Sequence, residues 1–166
     1  MTVNSETQGA VIIERGFDAP VELVWQMWTD PHHFRAWYGP NGATVPVAKM
    51  DVRVGGTRLV CMEVQSPSGA RQMWFTGQFR EVVENALLVY TESMSDESGN
   101  LISPEDMGMP QGHPVTTEVR VQLQKVGNAT KLTLTHVGVP GDSAGAAGWA
   151  TALDKLASYA QAHVVR

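Results

Sequence analysis

FDAPVELVWQMWTDPHHFRAWYGP, residues 17–40, is the stretch around which the rest of the chain is arranged. It holds three of the five tryptophans and two helix-start signals twelve residues apart, and it closes on a Gly-Pro break. Asp18 offers a carboxylate to free backbone N–H groups, and Pro20 suits a first helical turn, where its missing N–H costs no partner. Val21, Val24, Trp25 and Trp28 fall at i, i+3, i+4 and i+7, one face of a helix. Glu22 stands in the first turn, where the helix dipole favours a negative charge. Asp30-Pro31 repeats the start signal, and Phe34 and Trp37 share a face of a second short helix. Tyr38-Gly39-Pro40 ends it, because Pro40 disfavours helical geometry in Gly39. Two short helices laid across the mouth of a curved sheet are expected here.

Upstream, residues 11–17 (VIIERGF) are β-branched and bounded by polar residues, so a strand is expected. Downstream the period becomes two. Residues 43–54, 57–64, 72–83, 86–93, 115–125 and 131–137 all read as strands. Gly55-Gly56, Ser66-Pro67-Ser68-Gly69, Glu84-Asn85 and Gly127-Asn128 are short connections, which imply antiparallel neighbours. Val119, Val121 and Leu123 share one face of their strand; Leu132, Leu134 and His136 share one face of the next. Such alternation fits a sheet with one buried face. Residues 94–114 (MSDESGNLISPEDMGMPQGHP) form a long connection, either a floppy hairpin connection or a functional lid, for which Met107 and Met109 would suit an adaptable apolar contact. A final helix over residues 144–164, capped by Asp142 or Ser143, carries Trp149, Leu153, Leu156, Ala160 and Val164 as one apolar stripe.

The 166 residues, 43% hydrophobic and 17% charged, bound a single globular domain with residues 1–9 as a polar tail. Cys61 is the only cysteine, so no intrachain disulfide forms. MTVNSETQGA at the start has neither a basic opening nor an apolar core, so no signal peptide is expected. No apolar run reaches the roughly 20 residues of a membrane span. A cytoplasmic protein is expected. The net charge of −5 with scattered lysines and arginines argues against nucleic acid and membranes as partners. The expected partner is a small hydrophobic molecule, on a chain that is a monomer or homodimer.

The spaced motifs Phe17-Asp18-Ala19-Pro20, Val24-Trp25, Trp28-Thr29-Asp30-Pro31 and Trp37-Tyr38-Gly39-Pro40 resemble one branch of the START-like, or SRPBCC, helix-grip superfamily. That branch is named after the activator of heat-shock-protein-90 ATPase. Asp51-Val52-Arg53-Val54-Gly55-Gly56, Thr76-Gly77-Gln78-Phe79, Leu88-Val89-Tyr90-Thr91, Thr130-Lys131-Leu132-Thr133-Leu134, and Gly148-Trp149 with Leu153-Asp154-Lys155-Leu156 look like its later signatures. The likeness runs from about Val11 to His163. It implies an α+β helix-grip fold, a seven-stranded curved antiparallel sheet around a long C-terminal helix, with a cavity between them. It transfers no reaction, since fold and function separate readily. In the eukaryotic cochaperone the domain is joined to a separate chaperone-gripping domain, so chaperone activation is not expected of this sequence.

The candidate residues follow from chemistry. His32, His33, His113, His136 and His163 show no metal-binding spacing, and no cofactor motif occurs, so neither metal nor cofactor is expected. His32 and His33 are expected on the surface of a first helical turn. Cys61 reads as a buried structural thiol. Asp51 and Arg53 lie two apart on one strand, as a surface ion pair or, alternatively, with Arg53 gripping a ligand carboxylate. Polar and aromatic groups set among inward-facing apolar ones are the expected ligand contacts: Trp74, Tyr90, Glu92 and His136. Met62, Trp149, Leu153 and Leu156 line the cavity, and Trp37 and Tyr38 stand at its entrance. Glu92, Tyr90 and His136 are the candidates for acid–base chemistry. Three functions follow: binding of a small apolar or aromatic ligand, a cyclase- or hydrolase-type enzyme acting on one, or a protein-binding module that acts as cochaperone or toxin-sequestering protein.

Overall fold

The computed structural model describes residues 9–108, 114–139 and 144–164. The expected tail, the lid segment around Met109 and His113, and the cap at Asp142 or Ser143 lie outside the described residues. The order is β1 (Ala10–Phe17), α1 (Val21–Thr29), α2 (Pro31–Trp37), β2 (Thr44–Met50), β3 (Thr57–Ser66), β4 (Gly69–Val83) and β5 (Leu87–Ser95). A 3-10 turn (Pro104–Met107), β6 (Thr116–Val126), β7 (Ala129–Val137) and α3 (Ala144–Ala162) complete it.

All seven strands pair antiparallel in the order β1-β7-β6-β5-β4-β3-β2. β1 and β2 are therefore the two edges, and α1 with α2 carries the chain from one edge to the other. The fold expectation holds: a seven-stranded antiparallel sheet, two short helices after the first strand, and a long last helix. Direct cross-strand partners share a face, so the register defines the inner layer. Phe17, Val60, Phe79, Leu88, Val119 and Leu134 are among its fully covered members. Leu153, Leu156 and Ala160 of α3 close over them, as the expected stripe requires. Arg15 on β1 fixes the helix edge, donating to Asp154 Oδ1 at 2.6 Å and to the Ala150 carbonyl at 3.4 Å.

The joints of the two short helices differ in chemistry. At α1 the N-cap is Pro20, not Asp18. Pro20 has no side-chain oxygen to offer, and its carbonyl instead accepts from Leu23 and Val24 at 3.0 and 3.1 Å. The corner is held from the sheet, by the Thr130 hydroxyl donating to the Ala19 carbonyl at 2.8 Å. At α2 the expected cap is present: Asp30 Oδ1 accepts from the His32 N–H at 2.9 Å, with Pro31 first in the helix. Asp30→Ala should cost about 1 kcal/mol of unfolding free energy and Asp30→Asn only a few tenths. A urea titration in which both variants match the parent would show that the cap contributes nothing.

After Trp37 the chain turns at Gly39, whose φ is +91°. A Cβ there would sit 2.8 Å from the Met62 sulfur and 2.9 Å from the Ala43 Cβ, so conformation and space both demand glycine. The sequence reading was too simple at the β2–β3 corner. β2 ends at Met50, and a six-residue loop, 51–56, follows in place of a two-residue hairpin. The loop docks on β4 through Gly55 N–H to the Phe79 carbonyl and Phe79 N–H to the Gly56 carbonyl, at 2.8 and 2.9 Å. Asp51 and Arg53 thus belong to this loop, not to a strand. They still form the exposed pair, at 2.7 Å. The 94–114 connection begins inside β5, which runs through Ser95, and the Ile102 N–H returns to the Met94 carbonyl at 3.0 Å.

Candidate functional site

Apart from Thr130 at the α1 corner, the buried polar side chains of the inner layer gather, among the described residues, in one region. There β3, β5, β6 and β7 present Arg58, Glu92, Thr117 and His136, and all four are buried. Glu92 and Thr117 are direct partners across β5 and β6, and His136 faces Val119 one step along. Arg58 reaches the group from β3 because its partner on β4 is Gly77. Glycine puts no side chain between β3 and β5, so the guanidinium passes over it. A side chain on Gly77 would also run into the Thr91 carbonyl, which leaves no room for a larger residue.

Glu92 is the hub. Its Oε2 accepts from the Tyr38 hydroxyl at 3.2 Å and from Arg58 Nη1 at 3.4 Å. Its Oε1 lies 4.0 Å from His136 Nε2. The Thr117 hydroxyl is 2.7 Å from His136 Nε2 and 3.3 Å from the Glu92 carbonyl. The Trp149 indole N–H donates to His136 Nδ1 at 2.9 Å. An indole nitrogen only donates, so Nδ1 accepts; in the neutral ring the proton then sits on Nε2. One direction of donation therefore runs from Trp149 through His136 to Thr117 and on to the Glu92 carbonyl.

The Arg58 guanidinium stands over aromatic faces, 4.0 Å from the Tyr90 ring centre, 5.2 Å from Phe34 and 6.0 Å from Tyr38. Cation–π attraction compensates part of its lost hydration. Burial pushes its pKa down, but Tyr90, Glu92 and Tyr38 more than offset this and hold it above its ordinary value. Burial, reinforced by Glu92, pushes the Tyr38 hydroxyl well up against the opposing pull of Arg58. Burial raises Tyr90 likewise, with Arg58 pulling down and Glu92 adding to the rise. Both phenols are protonated at neutral pH and act as donors, not bases.

Among the described residues, two polar atoms in the cluster have no hydrogen-bond partner: Arg58 Nη2 and the Tyr90 hydroxyl. A third, the Trp28 indole nitrogen, lies in the adjoining aromatic layer, where Trp28 stacks on Trp149 at 5.9 Å. Buried donors without partners are uncommon in folded proteins and call for an explanation. Tyr38, Glu92, Thr117, His136 and Trp149 each keep between 6% and 9% of their surface exposed, against 1% for Arg58 and Tyr90.

Of the expected site residues, Tyr90, Glu92, His136 and Trp149 come together here, and Met62, Leu153 and Leu156 lie on the same inner side. Trp74 does not. It pairs with Cys61 and Ser95 on the opposite face of the sheet, away from the core. Trp37 is also displaced from its expected role: it is fully covered, its N–H donating to the Met27 carbonyl at 2.9 Å, and so anchors the helices instead of standing at an entrance. Arg58 and Thr117 are the members that sequence reading missed; Arg53, the arginine it considered, is on the surface. A signal existed, because Arg58 is two residues from Val60 and so shares its inner face. The remaining expectations are also placed. Cys61 is covered, its thiol pushed up by burial and then by Glu63. His32 is exposed, whereas His33 is half-buried with its Nδ1 2.8 Å from the Tyr159 hydroxyl. Among the described residues no group of His, Cys, Asp or Glu is arranged to hold a metal ion, and no helix is long and apolar enough to cross a membrane.

A family model described as activator of Hsp90 ATPase homolog 1-like protein matches residues 18–161. No curated protein matches the sequence. Among solved structures, a protein of Chromobacterium violaceum superposes with a TM-score of 0.73 at 23% identity, over 92% of this chain and 97% of that one. One from Nitrosomonas europaea gives 0.72 at 20%, over 95% and 97%. The AHSA1 protein of Silicibacter pomeroyi gives 0.67 at 22%, over 90% and 95%. At these identities the likeness concerns the fold.

Proposed function

The chain belongs to the activator of Hsp90 ATPase homolog 1-like family, and from that premise and its interior we propose that it binds a small apolar or aromatic molecule between the sheet and α3. One observation carries the reading. A buried polar cluster lies inside an aromatic layer and, among the described residues, holds donors without a protein partner. Ligand sites combine these two elements, a mainly apolar lining and a few placed polar groups, in volumes of about 300–1,000 Å³. The one cleft described on the outer side, about 260 Å³ between Gln122, Gln124 and Lys131, lacks such a lining. Tyr38, Glu92, His136 and Trp149 would contact the ligand, with Met62, Leu153 and Leu156 as the apolar floor.

Native mass spectrometry of the protein purified without detergent from the organism that makes it should show a non-covalent adduct of a few hundred daltons. The adduct should be lost on collisional activation, and it should be absent from a variant carrying Arg58→Met and Glu92→Leu together. An adduct that persists in that variant would remove the polar cluster from the site.

The approach of Glu92 Oε1 to His136 Nε2 favours a second reading, acid–base chemistry of the cyclase or hydrolase type. Glu92 Oε2 already accepts from Tyr38 and Arg58, so binding is the simpler use. Incubating the recovered ligand with fresh protein decides between the two: an unchanged ligand mass spectrum retires the enzymatic reading.

A further inference from the structure

We propose that the polar end of this site takes a neutral hydrogen-bond acceptor, a ketone, ester or amide carbonyl on an aromatic or other apolar body, held between Arg58 Nη2 and the Tyr90 hydroxyl. The inference rests on the interior being a ligand site and names what that site selects. It comes from two counts, of donors and of charge.

The donor count shows a surplus. Arg58 spends Nη1 on Glu92 and leaves Nη2 unpartnered. Tyr90 is buried with its hydroxyl unpartnered and its ring 4.0 Å under the guanidinium. The Tyr38 hydroxyl already donates its hydrogen bond to Glu92. An arginine nitrogen cannot accept, so whatever completes it must itself be an acceptor. Glu92 Oε2 is already taken by Tyr38 and Arg58, so within the cluster Arg58 Nη2 and the Tyr90 hydroxyl have no free partner on that oxygen.

The Arg58 and Glu92 charges balance each other. Arg58 and Glu92 form a buried pair at 3.4 Å, and both tyrosines are held neutral. Among the described residues no lysine and no second arginine contacts the cluster; Lys155 donates to the Pro40 carbonyl at 3.0 Å. A carboxylate ligand would place a second negative charge beside Glu92, where Arg58 is already paired. An ammonium would meet Arg58. Desolvating either charge without a partner is expensive. A carbonyl oxygen satisfies the donors and leaves the balance intact. Phe34, Trp28 and Trp149 supply aromatic surface for the body that carries it.

Three ligands of one shape test this by fluorescence titration: 2-acetylnaphthalene, 2-isopropenylnaphthalene, in which a methylene replaces the carbonyl oxygen, and 2-naphthoate. The ketone should bind about tenfold tighter than the alkene, the worth of a hydrogen bond from a charged donor. Tyr90→Phe removes a hydroxyl that has no protein partner, so it should fold with its stability retained. It should weaken the ketone several-fold and leave the alkene unchanged. Equal binding of ketone and alkene by the parent overturns the carbonyl assignment while the apolar site stands. Naphthoate binding tightest overturns the neutral assignment. No saturable binding of any of the three overturns the underlying ligand-site reading as well.

Discussion

Glu92→Ala should destabilise the protein by about 3–5 kcal/mol, the range for leaving one member of a buried ion pair without its partner. Arg58 is only 1% exposed, so water does not hydrate its charge. With Glu92 gone its charge faces three aromatic rings and an unpaired Tyr38 hydroxyl. Cation–π attraction from those rings offsets only about 2 kcal/mol of the lost hydration. The diagnostic companion is the double variant Arg58→Met with Glu92→Leu. Replacing both charges by apolar groups of similar volume is often neutral or stabilising. Denaturant unfolding should therefore place the single variant far below the parent and the double variant close to it. A double variant as unstable as the single one would mean that the pair holds the fold together and is not a polar feature kept for another purpose.

Trp37→Ala should cost about 3–5 kcal/mol, the usual price of deleting a fully enclosed aromatic side chain. Trp37 has no exposed surface, meets Trp28 edge-on at 4.7 Å and Phe34 at 5.3 Å, and ties α2 back to the last turn of α1 by its N–H. Trp37→Phe keeps most of the packing and should lose only the bond to Met27, about 1–3 kcal/mol. Trp74→Ala is the control, on the far face and partly exposed, and should lose much less than Trp37→Ala. Thermal unfolding of the three side by side checks the order; Trp74→Ala falling as far as Trp37→Ala would show that the inner and outer faces have been misassigned.

The helix-and-strand plan was legible because its signals are local. Asp30-Pro31 states its cap within three residues, and Val119, Val121 and Leu123 state their face by alternation. The β2–β3 corner was not, because its loop is set by hydrogen bonds to Phe79, more than twenty residues away. The site divides along the same line. Tyr90, Glu92, His136 and Trp149 stood out as polar or aromatic groups on apolar faces. Arg58 was passed over because its significance depends on Gly77 across the strand and on Glu92 beyond it. Trp74 was included on residue type alone, whereas counting back by twos from the buried Phe79 lands on Phe75 and excludes it. Parity along a strand carries that information; which side chains meet across three strands requires the register.

The five tryptophans make the most direct test of where a ligand goes, since each indole N–H gives its own resonance in a nitrogen-correlated spectrum. Titration with 2-acetylnaphthalene should move the resonances of Trp149, bound to His136 at 2.9 Å, and of Trp28, stacked on Trp149 at 5.9 Å. Trp74, on the opposite face, should stay in place through saturation. A titration in which Trp74 moves while Trp149 and Trp28 stay fixed would contradict a ligand site between the sheet and the last helix.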